Sequence, residues 1–292
     1  MNYLQAVVAY ILWGVFPLYW KLLPGVNSFE IICHRILWSF ATLVLLVSLG
    51  RQWPQVRAVL RDKKRLALCL VAAILISINW LVFIWAVQNK YVVETSLGYF
   101  INPMLNVLLG VLFFREKLHP VQWLAVSIAA LGVLAMTVQT GKFPFIAITL
   151  AISFALYAAA KKKTTMPAVA GLGMETAILT PITLIALCYF AYVNDGNEPR
   201  TPATWGLLVL GGPITTLPLI LFAAAAKSVP MAAMGMLQYI APSLQFLFGV
   251  FLFGEEVSRG RAYGFAIVWL ALIIFSSFVV VSSRMSNARK TN

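Results

Sequence analysis

Glu94, Gly98, Asn102, Asn106 and Gly110 recur every four positions along one apolar segment. At 3.6 residues per turn this spacing drifts about 40° per step, so Gly98, Asn102 and Asn106 share a helix face while the ends wander. Carboxamides carry both donors and acceptors. The chemistry of this face is therefore hydrogen bonding, to a neighbouring helix, to water or to a polar solute. Pro103 removes the donor to the Tyr99 carbonyl and its ring crowds that carbonyl, which predicts a kink. A second segment places Gln238, Pro242 and Gln245 in the same way. Amides beside a proline kink in both segments favour a substrate cavity, because freed carbonyls in a membrane are tolerated where they line one. Amides that simply join helices are the alternative, worth about 0.6 kcal/mol each.

Three ionisable residues, His34, Arg35 and Glu175, lie about six residues inside long apolar runs. Such groups mark ion or substrate pathways by default. Glu175 is the best candidate for a group that takes up protons or touches substrate, and His34 is the second. An arginine at a span centre costs about 2.5–3.5 kcal/mol on insertion scales. Arg35 thus needs a partner or must reach the interface, and Glu30, one turn before His34, is the acid at hand. A structural ion pair near the headgroups is the competing reading. Asn79 is flanked by Trp80, Phe83 and Trp85, and Trp13, Tyr99, Tyr157 and Tyr239 add rings with polar tips. Apolar walls with a few placed polar groups suit an amphipathic organic solute, while packing is the plainer use of the same rings. Gly211-Gly212-Pro213 predicts an irregular stretch. Glu116 and Glu255 read as solvated interfacial charges, and Lys161–Lys163 as a basic stop at the membrane face.

Elements that could hold such residues follow from composition. Of 292 residues, 61% are hydrophobic and 11% charged, against about 45–50% and about 25% in soluble domains. A spanning helix takes about 20 apolar residues. Ten runs qualify, at roughly 3–23, 29–49, 66–87, 93–114, 120–138, 143–160, 170–193, 204–225, 231–253 and 261–282. The expected fold is an all-α integral membrane protein with ten transmembrane helices. The net charge of +13 sits in short loops and near the C-terminus, which argues against nucleic acid. Cys33, Cys69 and Cys188 lie inside apolar runs without metal spacing, so no metal is expected. The first run is of spanning length and lacks a short apolar core with a small-residue cleavage site, so it reads as a retained span.

Lys and Arg set the expected orientation. Arg51, Arg57, Arg61, Lys63, Lys64, Arg65, Arg115, Lys117, Lys161, Lys162, Lys163, Lys227, Arg284, Arg289 and Lys290 fall on one side; Lys21, Lys90, Lys142, Arg200, Arg259 and Arg261 fall on the other. The heavier side is cytoplasmic, which places both termini inside, loop 51–65 against anionic lipid and loop 194–202 outside. An offset of 139 residues aligns Asn79–Glu116 with Pro218–Glu255 without a gap, and the matches include Pro103/Pro242, Gly110/Gly249 and Glu116/Glu255. Five spans per copy is an odd number, so the second copy enters inverted. The division is residues 1–140 and 141–292, an inverted-topology pair of five-helix repeats of the kind secondary transporters use, with a site near the midplane.

Several stretches also resemble the RarD protein family, in the EamA branch of the drug/metabolite transporter superfamily. They are Trp13-Gly14, His34-Arg-Ile-Leu-Trp-Ser-Phe40, Asn79-Trp-Leu-Val-Phe-Ile-Trp-Ala86, Glu94-Thr-Ser-Leu-Gly-Tyr-Phe-Ile-Asn-Pro103 and Gln238-Tyr-Ile-Ala-Pro242. The resemblance implies a ten-helix inner-membrane permease, with the fifth and tenth helices peripheral. The expected activity is alternating-access transport of a small organic metabolite or drug-like amphipath. Export is the leading direction, with protons as candidate coupling ions and no cofactor. A facilitator or channel is the alternative. An intramembrane enzyme is disfavoured because there is no H-E-x-x-H, cysteine cluster, paired Asp motif or P-loop. Substrate, coupling and oligomeric state stay open at this level.

Overall fold

The computed structural model describes residues 2–23, 25–88, 92–138, 144–193, 201–252 and 259–291, and its regular structure there is helical. In chain order the helices are α1 (Asn2–Trp20), α2 (Ser28–Leu49), α3 (Trp53–Arg61), α4 (Lys63–Gln88), α5 (Val92–Phe114) and α6 (Pro120–Val138). They continue with α7 (Phe145–Lys163), α8 (Ala168–Val193), α9 (Pro202–Ala226), α10 (Met231–Gln238), α11 (Ile240–Phe251) and α12 (Arg259–Thr291). Among the described residues, seven helices are long and apolar enough to cross a membrane, and two shorter apolar stretches run from Gly98 to Phe114 and from Pro120 to Ala135.

Local sequence accounts for where the helices start. The Asn27 side chain accepts the Phe29 N–H at 2.8 Å and starts α2. Thr201 accepts the Thr204 N–H at 3.2 Å, and Pro202 stands at the first turn of α9, where its missing N–H costs nothing. Inside the helices, Thr42, Ser77, Thr176, Thr180 and Thr183 return their hydroxyls to the carbonyl four residues back. Short polar side chains therefore enter apolar surroundings already hydrogen-bonded.

Two sequence expectations change here. The ninth span is not one kinked helix: it breaks at Tyr239 into α10 and α11. Pro242 explains the place, because its absent N–H and its ring both act on the carbonyl of Gln238, four residues back. Pro103, by contrast, stays within an uninterrupted α5. Gly211-Gly212-Pro213 is not irregular either, since α9 runs through it. Gly212 serves close packing: a Cβ there would collide with the backbone of Trp38 in α2. The loop 51–65 contains α3, which packs on α8 and buries Val59. Lys90, Lys142, Arg200, Glu255 and residues 194–200 lie outside the described residues, as do the side chains of Glu94, Arg259 and Arg261.

The chain forms two compact units, and each draws on both halves of the sequence. The first comprises Met1–Trp85 and Leu156–Val229. In it α2 packs on α8 and α9, and α1 packs on α9, around Leu43, Leu172, Leu219 and Ala223 with Trp13 and Trp80 against them. The second comprises Ala86–Ala155 and Pro230–Asn292. There α6 packs on α12 and α5 on α10. At Gly132 a Cβ would lie 3.3 Å from the Gly264 carbonyl oxygen, so the small residue sets how closely α6 and α12 approach.

Candidate functional site

The first unit holds the charged candidates. Glu175 in α8 is ion-paired with Lys161 in α7, and the two are 4% and 2% exposed. The Tyr157 hydroxyl donates to the second carboxylate oxygen of Glu175 at 3.4 Å. Tyr157 and Lys161 are one turn apart on α7, so a single helix face presents both to the acid. The Tyr157 ring stacks on Phe222, 6.3 Å between centroids at 8°, and Phe222 also contacts Tyr10 and Trp13. The basic run at the end of α7 is thus more than a membrane stop. Lys161 turns inward to the carboxylate, and Lys162 donates to the Val229 carbonyl at 2.8 Å. Past the end of α9, Lys227 donates to the Met166 carbonyl. Burial, and then the Lys161 charge, hold its pKa below the usual lysine value.

His34 and Arg35 occupy different surroundings from Glu175. Glu30, read from the sequence as the partner of Arg35, lies 3.8 Å from His34 one turn on, and both are buried. Trp205 stands edge-on to the imidazole at 5.5 Å. Arg35 is only half-buried. Its Nε donates to the Thr215 hydroxyl at 3.1 Å, and its guanidinium carbon lies 4.7 Å from the Trp20 ring and 5.3 Å from the Trp80 ring. Asn79, beside Trp80 in α4, is buried.

The second unit gathers the amides. Asn106 Nδ2 donates to Gln238 Oε1 at 2.8 Å and to Asn102 Oδ1 at 3.1 Å, while Asn102 Nδ2 donates to the Ala151 carbonyl at 3.0 Å. All three side chains are buried. The same α5–α10 pair is joined at both ends. Beyond one end of α10, the Tyr239 hydroxyl donates to the Phe100 carbonyl at 3.1 Å. At the other end, Glu116 accepts the N–H groups of Met231 and Ala232 at 2.7 and 3.0 Å. Glu116 is therefore not a solvated interfacial charge. Its carboxylate caps the positive end of α10, where unsatisfied N–H groups gather. Between the two ends, a Cβ on Gly235 would stand 2.5 Å from the Pro103 carbonyl oxygen, so glycine is what lets the backbones meet. Gln245 remains half-buried and Tyr99 is exposed. Pro242 is buried in α11.

With this geometry in view, likeness to known proteins decides the family. The EamA-like transporter family matches residues 1–138 and again 142–277. The chain belongs to the EamA-like transporter family, in its RarD branch. An uncharacterized transporter of Bacillus subtilis, YojE, is 43% identical over 289 residues, covering 98% of this chain and 96% of that one. Protein RarD of Escherichia coli K12 is 39% identical over 285 residues, covering 97% and 96%. A solved crystal structure with 20% identity superposes with a TM-score of 0.71 over 95% of this chain and 98% of its own, which shows a shared fold. This EamA-family protein is accordingly a multi-pass inner-membrane transporter of the drug/metabolite type. Family and relatives indicate transport rather than enzymatic turnover.

The sequence singles out Glu175, Tyr157 and Arg35, and the structure sets Lys161 beside Glu175 and both Thr215 and Trp20 beside Arg35. Lys161 stands one turn after Tyr157, but its place in a basic run at the end of a span gives no sign that it turns inward. Glu116 is legible in the sequence as an acid matched by Glu255 at the 139-residue offset. What the sequence could not show is that α10 would begin beside it.

Proposed function

We propose that this transporter exports small organic metabolites by alternating access and uses the proton gradient to do so. The observation that carries the reading is the buried Lys161–Glu175 pair with Tyr157 beside it. Ionisable side chains inside membrane segments are costly and belong to transport pathways by default. A pair taken out of water is compensated only while both charges and their hydrogen bonds persist. A proton arriving on Glu175 leaves Lys161 as an uncompensated ammonium, so protonation favours whichever conformation opens this site to water. That differential is what a coupling ion must supply. Alternating access also needs bodies that keep their own packing as access changes, and two compact units are consistent with that need.

Among the residues singled out as cavity-lining, Trp13 in the first unit and Tyr99 and Gln245 in the second retain accessible surface, and each of these, like Asn79 of the first unit, is assigned by itself to contact with substrate. Asn102, Asn106 and Gln238 hold α5 to α10 and to the Ala151 carbonyl. Both termini are assigned to the cytoplasm on the Lys/Arg distribution.

The test begins with an untargeted comparison of metabolites inside and outside cells that overproduce or lack the protein. Compounds that change are then taken into proteoliposomes. A carrier shows trans-stimulation by unlabelled substrate, and a channel does not. In the Glu175→Gln, Lys161→Met double variant, gradient-driven accumulation is lost while exchange persists. Full accumulation in that variant would overturn the proton-coupled reading.

A further inference from the structure

We propose that α3 is an interfacial helix that docks on anionic phospholipid, with Trp53 and Leu60 toward the acyl chains and Arg57, Arg61, Lys63 and Lys64 toward the headgroup phosphates. The inference goes beyond transport and is independent of substrate and coupling. α3 stands in the short connection between the spans Phe29–Leu49 and Lys63–Phe83, so the bilayer surface is its neighbour at both ends. Nine residues rise about 13.5 Å, whereas crossing a membrane takes about 20 residues. Both ends are held closely. Arg51, in the left-handed region at φ 51°, turns the chain out of α2. Asp62 accepts the N–H groups of Lys64 and Arg65 at 2.9 and 3.2 Å. The Trp53 indole N–H donates to the Ser48 hydroxyl at 3.2 Å, which ties the ring to the end of α2.

The order of side chains around α3 separates three surfaces. With Trp53 at zero and an advance of about 100° per residue, Val56 and Val59 fall at about −60° and −120°. They face the protein: Val59 is fully buried with Cys69, Met166 and Met174, and Val56 packs against this cluster. Leu60 falls at about −20°, in line with Trp53, and the two are 56% and 41% exposed. Arg57 and Arg61 follow at about 40° and 80°; with Lys63 and Lys64 they are exposed. These four cations form no ion pair among the described residues, and Asp62, the one acid of the 51–65 stretch, is paired with Arg65 at 3.1 Å. Protein side, apolar edge and cationic edge thus succeed one another, the order that suits a helix lying along a membrane surface beside its own protein. Indoles gather at that depth, and each Lys or Arg near an anionic surface raises partitioning about fivefold. A soluble acidic partner would match the cations as well, but it would have to displace lipid from Trp53 and Leu60. Met174 is the chain neighbour of Glu175, so what holds α3 also steadies the part of α8 that carries the charge pair.

The full-length protein is taken from nanodiscs of equal parts phosphatidylglycerol and phosphatidylcholine, and the lipids it retains are identified by native mass spectrometry. Wild type is expected to keep phosphatidylglycerol over phosphatidylcholine by at least about fivefold. The quadruple variant Arg57→Gln, Arg61→Gln, Lys63→Gln, Lys64→Gln loses most of that preference. Its unfolding midpoint also stops rising with phosphatidylglycerol content, as the wild-type midpoint does. Inorganic phosphate does not displace the retained lipid, because it offers nothing to Trp53 and Leu60. Depth is read separately: the emission that wild type has in excess of Trp53→Phe is quenched by lipid brominated near the headgroup end of its chains. That reading needs one conservative change, and it decides the matter if the quadruple variant does not fold. Equal retention of the two lipids by wild type, an unchanged preference in the quadruple variant, or displacement by inorganic phosphate would each overturn the proposal. So would Trp53 emission untouched by brominated lipid, the result a soluble acidic partner would give.

Discussion

Both units bury strong polar groups, and they do so in opposite ways. In the second unit the groups are neutral amides, and they answer one another: Asn106 to Gln238 and Asn102, and Asn102 to the Ala151 carbonyl. In the first unit they include ionisable groups set in pairs, Lys161 with Glu175 and His34 beside Glu30. A network of neutral amides changes little with pH or with the arrival of an ion. It fixes the register of α5 on α10 and leaves them joined. A buried charge pair has two states that differ by a proton and by several kcal/mol of solvation. The contrast separates a part that holds its shape from a part that can respond.

The largest effects should come from breaking the charge pair on one side only. Glu175→Gln or Lys161→Met alone strands its partner, at about 3–5 kcal/mol, and the unfolding midpoint in nanodiscs should fall steeply. The double variant should recover most of that loss. Recovery would show that the pair was retained for response rather than for stability.

Next in size is backbone contact. Gly212→Val would drive a side chain into the Trp38 backbone, and Gly235→Val into the Pro103 carbonyl. Overpacking costs about 1–3 kcal/mol and more where backbone must move. Lower midpoints for both, compared with a neutral result for Gly206→Ala, where nothing lies within 4 Å of an added Cβ, would sharpen the packing argument.

How much of this was readable beforehand differs with range. Apolar runs of spanning length gave the helical membrane fold, because bilayer thickness leaves few alternatives. The i, i+4 spacing of Asn102 and Asn106 and the depth of Glu175 and Arg35 were legible for the same local reason. Partners were not. Lys161 meets Glu175 from another helix, Thr215 reaches Arg35 across 180 residues, and Glu116 reaches Met231 across 115. Local periodicity carries no information about such meetings. The break at Tyr239 lay between the two: Pro242 was seen, but whether it bends a helix or ends one depends on what packs beside it. Pro103 shows the other outcome.

Smaller effects belong to the second unit. Asn106→Ala removes interhelical hydrogen bonds worth about 0.6 kcal/mol each, so the midpoint should drop slightly and substrate affinity should hold within about twofold. A large loss of affinity at unchanged stability would return the amides to the substrate. Glu116→Gln keeps an acceptor at the end of α10 but removes the charge, and a loss of about 0.5–1 kcal/mol is expected.

The account stands most directly on one measurement. Proton-driven accumulation and exchange are recorded side by side in proteoliposomes for wild type, the Glu175→Gln, Lys161→Met double variant, and Asn106→Ala, at matched protein levels. The double variant is expected to exchange without accumulating, and Asn106→Ala to do both as wild type does. Accumulation by the double variant, together with its loss in Asn106→Ala, would place the working residues in the wrong unit and contradict the account.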